Sequence, residues 1–106
     1  MTTVAEILEK IPSALDPEVA QDQACVLQFN LSSPVHMQIE QGRCSVHQGA
    51  ADHPDLDITI SDENFVKLMQ GELNGVMALM SGKLQVDGDL GLAKQMLDFF
   101  DTEKLK

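Results

Sequence analysis

Apolar and polar residues alternate along the middle of the chain, the pattern of β-strands that have one buried face and one polar face. The odd-numbered positions of residues 25–31 are apolar, whereas Gln28 and Asn30 are polar. The same alternation recurs in residues 35–39, 44–46 and 56–60, and Leu84 and Val86 mark a fifth strand. Because a sheet with one polar face needs helices on its other face, the pattern predicts a two-layer α+β fold.

Helices are predicted before the first strand and after the fourth strand in the sequence. Thr3 followed by Glu6 forms a capping box at the start of the first helix, which Pro12 is expected to bend or break. Ser61 or Asp62 is expected to cap the helix that follows the fourth strand.

Further helical segments flank the fifth strand. Gly71 is expected to end the helix before them, Asn74 to cap a short segment that Gly82 ends, and Asp89 to cap the last helix. The inward positions of that last helix are predicted to be Leu90, Ala93, Met96, Leu97 and Phe100.

The dipeptide Gln41-Gly42 is a two-residue hairpin turn, and it predicts the register of the strands on either side. This register sets His36 opposite His47 on the polar face. Two facing imidazoles could bind a transition metal weakly, but two ligands make a poor site. Solvated histidines are therefore the favoured interpretation, and no metal is expected, although metal binding by the pair stays open.

A second turn predicts the pairing of the first two strands. If the Ser32-Ser33-Pro34 loop pairs Leu31 with Val35, then Phe29 lies opposite Met37 and Leu27 lies opposite Ile39. Cys25 and Cys44 then lie on strands separated by a third strand, about 10 Å apart. Because a disulfide needs Cα atoms within about 7 Å, both cysteines are expected to be free thiols in apolar positions.

Length and charge narrow the function classes. The chain has 106 residues and a formal net charge of −10, and this length predicts a single domain over residues 1–106. An acidic chain repels phosphate backbones and anionic membranes, so nucleic acid is not expected as a partner and membrane contact is expected to be transient at most. The N-terminus lacks a basic start and a long apolar run, which favours a cytoplasmic location.

No segment carries a recognisable catalytic motif. The tripeptide Asp87-Gly88-Asp89 looks like part of a calcium loop, but the remaining ligands are missing, so a turn and a helix cap are favoured. The chain has no nucleophile elbow and no cysteine with an obvious histidine partner. The protein is therefore expected not to be an enzyme, with no catalytic residue and no cofactor.

Methionines are the most informative apolar residues of the chain. Besides Met1, the five methionines all fall on positions predicted to face inward: Met37, Met69, Met77, Met80 and Met96. Methionine fills gaps in packed cores, and it also recurs on adaptable apolar binding surfaces. Both a packed core and a cavity for an apolar ligand therefore remain open on periodicity alone.

Residues 56–100 resemble the sterol carrier protein type-two domain, also called the non-specific lipid-transfer protein domain. The features that carry the resemblance are Asp57-Ile58-Thr59-Ile60, Asp62 opening a helix, Gly71 after Phe65 and Leu68, Gly82-Lys83-Leu84, Val86-Asp87-Gly88-Asp89, and Ala93 with Met96-Leu97 ahead of Phe99-Phe100. The upstream helix and strands also match the order of elements in that family. Because the C-terminus is not a Ser-Lys-Leu peroxisomal address, a small stand-alone member of bacterial type is expected.

The resemblance implies a five-stranded, mainly antiparallel sheet with helices on one face and an apolar tunnel between the two layers. It implies a carrier for fatty acids, fatty acyl-CoA, sterols or isoprenoid lipids, working as a monomer or weak dimer. In this family Gly82, Lys83, Gly88 and Asp89 would be structural. The inward positions predict a floor of Leu27, Phe29 and Met37, with further ligand contacts from Phe65, Met69, Met77, Met80, Met96 and Phe100.

An anionic head group of such a ligand would lie near solvent or near Lys67, Lys83 or Lys94. The alternative hypothesis is an accessory or scaffold protein that presents a lipophilic intermediate to partner enzymes, for example in ubiquinone biosynthesis. The acidic surface would suit basic protein partners.

Overall fold

A computed structural model describes residues 3–96 and 98–105 of the chain. In chain order the elements are helices α1 (Val4–Ala14) and α2 (Pro17–Ala20), strands β1 (Ala24–Asn30), β2 (Val35–Glu40), β3 (Arg43–Gln48) and β4 (Leu56–Ile60), helices α3 (Asp62–Met69) and α4 (Gly75–Ser81), strand β5 (Leu84–Gly88), helix α5 (Leu90–Met96) and a 3-10 helix (Thr102–Leu105). The predicted two-layer α+β class is confirmed.

The five strands form one sheet in the order β3-β2-β1-β4-β5. β1 and β4 are parallel, and the other three pairs are antiparallel. The sheet is therefore mainly antiparallel, as expected, with its one parallel pair inside the sheet. That pair requires the chain to cross from β3 to β4 through residues 49–55.

The β2–β3 hairpin has the predicted register. Gln41 and Gly42 both have positive φ, 52° and 75°, which matches the twist that a two-residue turn needs. Met37 pairs with Val46, and Ile39 pairs with Cys44.

The register predicted between β1 and β2 is wrong by two residues. Leu27 lies opposite Met37, and Phe29 lies opposite Val35. The cause is a tertiary contact: the backbone N–H and the hydroxyl of Ser32 both donate to the Asp62 carboxylate, so the loop is held by α3 instead of closing directly on β2. These hydrogen bonds also lower the pKa of Asp62. A shift of two residues keeps every side chain on its predicted face.

Both cysteines are free, as predicted. In the observed register Cys25 and Cys44 each lie opposite Ile39, from β1 and β3, so β2 separates the two thiols.

The apolar face of the sheet and the inner faces of the helices form one hydrophobic core. Ile7 and Ile11 of α1 are fully buried in this core, as is Phe65 of α3. The Thr3 hydroxyl caps α1 by accepting from the Glu6 N–H. Pro12 does not break α1, which continues to Ala14, because Pro12 lies in its last turn.

The polar face of the sheet is only partly open to solvent. The crossing segment of residues 49–55 lies over it: the Ala51 N–H donates to Gln28 Oε1 over 2.7 Å, and Gly49 O lies 3.0 Å from His36 Nδ1. Gln28 is only 3% exposed as a result. The sequence pattern alone did not indicate this cover, because loop residues carry no periodicity.

Phe100 is buried, but it is not part of the last helix as predicted. It forms a bridge with Leu15, and the Asp101 N–H donates to Ala14 O over 2.8 Å. Backbone groups just beyond the end of α1 thus hold this segment in an extended form. Leu97, the other predicted inward residue near this point, lies outside the described residues.

We expect Gly88→Ala to destabilise the protein more than Gly49→Ala. Both glycines have positive φ, +126° and +96°, which costs about 1–3 kcal/mol for a residue with a side chain. A Cβ at Gly88 would also lie 2.8 Å from the Asp55 carbonyl oxygen, whereas a Cβ at Gly49 would meet nothing within 4 Å. Urea unfolding of both variants measures the difference, and equal losses would contradict the close approach at Gly88.

Candidate functional site

Seven of the nine predicted ligand contacts lie in the packed core: Met96, which also lines the cavity described below, and six others. The six others are Leu27, Phe29, Met37, Phe65, Met69 and Phe100. The rings of Phe29 and Phe65 meet edge to face with their centroids 5.3 Å apart, which closes the space between the sheet and α3. Contact of these six side chains with a ligand stays a prediction.

Met77 and Met80 do not face inward, so their predicted orientation is wrong. Their side chains are 61% and 79% exposed. The reason is that α4 packs on β5 through its smallest residues, Gly75 and Ala78, which are one turn apart and buried. The spacing of the large apolar side chains predicts the opposite face of this helix as the inward one.

An apolar cavity of about 110 Å³ lies where α4 and α5 cover β5. Its lining residues are Gly75, Val76, Leu79, Leu84, Val86, Leu90, Ala93, Lys94 and Met96. Of the nine predicted contacts, this cavity includes only Met96. Four of the other eight lining residues, Leu84, Val86, Leu90 and Ala93, were predicted to face inward but not to contact a ligand, and Leu90 is 54% exposed, so its predicted inward orientation is only partly met.

The cavity is small for a lipid site. Ligand pockets in proteins occupy about 300–1,000 Å³, so a lipid chain would need α4 and α5 to separate. Both helices are weakly anchored: Gly75 and Ala78 are the buried residues of α4, and Met96 is the buried residue described in α5. Elements with few buried contacts open at low free-energy cost.

Two wider grooves lie beside the start of α1, with volumes of about 460 and 570 Å³. Apolar residues such as Val4, Leu8 and Val46 line the first together with Glu9 and Asp62, whereas Asp62, Glu63, Lys67 and Glu72 line the second. Charged carboxylates lose hydration when an apolar chain covers them, so these grooves suit a lipid less well than the cavity.

The three lysines predicted to lie near an anionic head group differ in position. Lys94 lines the cavity and is the one charged residue among its described lining. Lys67 lies 3.2 Å from Glu63 in an ion pair on α3. Lys83 is exposed in the turn between α4 and β5.

His36 and His47 face each other as the hairpin register predicted. Their rings are stacked, with centroids 5.1 Å apart. His36 Nδ1 lies 3.0 Å from Gly49 O, and His47 Nε2 lies 3.0 Å from the Ser45 hydroxyl. Across residues 3–96 and 98–105 no group of three or more histidine, cysteine or acidic side chains could hold a metal ion.

Neither thiol is activated as a nucleophile. Burial, together with the nearby Asp55 carboxylate, raises the pKa of Cys25. Burial, with a further contribution from Cys25, raises the pKa of Cys44 to about 12. Because the thiolate is the reactive form, both groups are held in the unreactive state at neutral pH.

In the part of the chain that the structure describes, no helix is both long and apolar enough to cross a membrane.

The family model described as "SCP-2 sterol transfer family" matches residues 4–101. Hydroxysteroid dehydrogenase-like protein 2 of Rattus norvegicus is 31% identical over 96 residues, covering 85% of this chain and 18% of that protein. The chain thus spans about a fifth of the length of such curated relatives.

Solved structures share the fold over most of the chain. Palmitated SCP2L2 from Aedes aegypti is 27% identical with a TM-score of 0.74, and the match covers 92% of this chain and 93% of that one. The UbiJ-SCP2 ubiquinone synthesis protein is 18% identical with a TM-score of 0.63, covering 88% and 78% of the two chains.

We expect iodoacetamide to label Cys44 at least about tenfold more slowly than an exposed cysteine at neutral pH, because its raised pKa leaves little thiolate, which the higher nucleophilicity of that thiolate offsets only in part. Cys25 is also expected to react slowly. Peptide mass mapping after timed labelling measures both rates, and labelling in urea is the control in which both should react readily. Fast labelling of Cys44 in the folded protein would contradict the described environment.

Proposed function

The chain belongs to the SCP-2 sterol transfer family, and from this premise we propose that it is a non-catalytic carrier that holds the apolar part of a lipid between α4, α5 and β5. The observation that carries the proposal is the cavity at this place. Its lining is apolar except for Lys94, and its mouth is surrounded by exposed apolar side chains.

Binding proceeds by opening and burial. α4 and α5 move apart, an apolar chain fills the enlarged cavity, and each Å² of apolar surface removed from water contributes about 25 cal/mol. Lys94 stands at the cavity to meet an anionic head group, whereas Lys67 is held by its ion pair with Glu63. Met96 contacts the apolar chain of the lipid as soon as it enters the cavity. The six other predicted contacts in the core touch the lipid only if the opening extends to the space under α3.

A saturated fatty acid is the first ligand to test. The structure of the Aedes aegypti relative is described as palmitated, and a fatty acid combines an apolar chain with one negative charge that Lys94 can pair with. Acyl-CoA, sterols and isoprenoids remain further candidates. The proposal places this carrier in the cytoplasm, as one domain over residues 1–106 and as a monomer or weak dimer.

A second candidate function is presentation of a bound lipid to an enzyme. The rat relative has a dehydrogenase-like name and is several times longer than this chain, and the UbiJ-SCP2 structure is that of a ubiquinone synthesis protein. The net charge of −10 would favour a basic partner surface. Presentation requires that lipid transfer to such an enzyme exceed transfer to vesicles, which a competition assay with labelled lipid measures.

We expect Ala93→Phe to lower palmitate affinity by about tenfold or more, because the added ring fills the space that the chain must enter. Gln95→Phe is the matched control: it adds the same ring to an exposed position of α5 that does not line the cavity. Native mass spectrometry of the purified protein, followed by titration with palmitate, measures occupancy in wild type and both variants.

Thermal unfolding of each variant shows that the fold is retained. Equal palmitate binding by wild type and Ala93→Phe would show that the ligand does not bind in this cavity. A wild-type protein that takes up no fatty acid, acyl-CoA, sterol or isoprenoid would overturn the carrier function itself.

A further inference from the structure

The first of the two grooves beside α1 is a surface that the proposed carrier function does not use. We call it the α1 groove; its volume is about 460 Å³, and its lining includes Val4, Leu8, Glu9, Leu31, Val46 and Asp62. The four apolar members of this set pack on the core but are only partly buried. Apolar side chains that lie together at the surface mark interaction sites, since solitary ones need no explanation.

The groove is open because the helical layer ends there. β3 is the outermost strand on this side of the sheet, and α1 packs on it. α1 buries Ile7 and Ile11, whereas Val4 and Leu8 lie one turn apart on its flank and are only partly covered. A second helix lying alongside α1 would cover Val4, Leu8 and Val46, and it would extend the helical layer over this edge of the sheet.

The rim of the α1 groove is negative. Glu9 and Asp62 line it, and Asp62 also lines the neighbouring groove together with Glu63 and Glu72. Among the described lining of the two grooves, positive charge comes from Lys67, which lies 3.2 Å from Glu63 in an ion pair. Carboxylates therefore remain in excess after this pair is counted.

The Asp62 carboxylate is held in a fixed position at this rim. The N–H and the hydroxyl of Ser32 both donate to it, and these hydrogen bonds lower the pKa of Asp62, so it stays ionised at neutral pH. α1 and α3 each carry two carboxylates and one lysine, so neither helix supplies an excess of positive charge that could neutralise the rim.

We propose that the α1 groove binds a basic amphipathic helix of a protein partner. Apolar side chains three or four residues apart on that helix fill the floor of the groove, and its lysine or arginine side chains pair with Glu9 and Asp62. A lipid chain fits less well because it would cover these carboxylates without pairing them. A second copy of the chain fits less well because each copy carries a net charge of −10.

Docking at the α1 groove leaves the cavity free. None of the described residues that line this groove also lines the cavity between α4, α5 and β5. A partner could therefore hold the protein while the cavity takes up or releases its ligand. The inference gives the presentation of a lipid to an enzyme a place of contact, but it stands on the shape and charge of the groove and does not depend on a bound lipid.

The test is fluorescence anisotropy of the full chain, without lipid, with a labelled peptide of about 18 residues, long enough to form a helix. Leucines recur in this basic peptide at helical spacing, and lysines and alanines occupy its other positions. A second peptide has the same composition in scrambled order, and a third has glutamate in place of lysine. Wild type is expected to bind the basic peptide less tightly as salt is raised, and to bind the other two at least about tenfold more weakly.

Glu9→Lys is expected to weaken binding of the basic peptide about fivefold, because it replaces an attractive charge at the rim with a repulsive one. Glu18→Lys is the matched control. It changes the net charge by the same amount at an exposed residue of α2 that lines neither groove, so it should bind nearly as wild type does.

Val46→Thr is expected to weaken binding about threefold, because a hydroxyl replaces a methyl group in the floor while the β-branched shape is kept. Val26→Thr makes the same change at a partly buried residue of β1 that lines neither groove, and it should leave binding unchanged. Thermal unfolding of the four variants shows that each is folded.

Three results would overturn the proposal: no binding of the basic peptide by wild type, equal binding of the scrambled peptide, and equal losses of affinity in Glu9→Lys and Glu18→Lys. The third result would mean that the peptide responds to the net charge of the chain instead of the α1 groove. Displacement of the bound peptide by palmitate would also overturn it, because the groove would then be a lipid site.

Two further measurements separate this inference from the other possibilities. A wild-type dimer in sedimentation velocity that the basic peptide dissociates would make the α1 groove an interface between copies of the chain, against the proposal. Wild type that binds the basic peptide but takes up no palmitate would keep the docking surface and lose the carrier function.

Discussion

The apolar face of β5 is covered by two helices of seven residues each, α4 and α5. These helices bury few residues: Gly75 and Ala78 in α4, and Met96 as the buried residue described in α5. α4 packs on β5 with Gly75 and Ala78 as its buried residues, so its large side chains face outward. The cavity and the exposed apolar side chains of α4 are therefore two consequences of the same packing.

The middle of the sheet is covered more closely. α1 and α3 bring Ile7, Ile11 and Phe65 onto the apolar face, where Phe65 packs edge to face on Phe29. The parallel pairing of β1 and β4 sends the crossing segment over the polar face, which leaves the apolar face to the helices. The fold thus combines a well-packed part with a loosely covered part, and the proposed ligand site lies in the loosely covered part.

The sequence was sufficient wherever the deciding contact is local. Gln41-Gly42 predicts the β2–β3 register because the turn geometry is set by two adjacent residues. Thr3, Asn74 and Asp89 predict helix starts because each cap binds an N–H group two or three residues away.

Prediction failed where a distant contact decides. Ser32 shifts the β1–β2 register because it hydrogen-bonds to Asp62, 30 residues further along the chain. Phe100 leaves the helical phase because Leu15 pairs with it. At the candidate site, Met96 is the one predicted ligand contact that lines the cavity. The phase of α4 depends on which of its faces fits the sheet, and the size of its side chains does not reveal that Gly75 and Ala78 are the residues it buries.

The central claim is that α4 and α5 form a weakly held cover that opens to admit a lipid chain. Native-state hydrogen exchange with and without palmitate tests it most directly. The account predicts that amides of α4 and α5 exchange through local opening, at a lower free energy than those of β1 and β4, and that saturating palmitate increases protection in these two helices. If α4 and α5 exchanged only through global unfolding and palmitate changed nothing there, the cover would be a fixed part of the core and the account would be wrong.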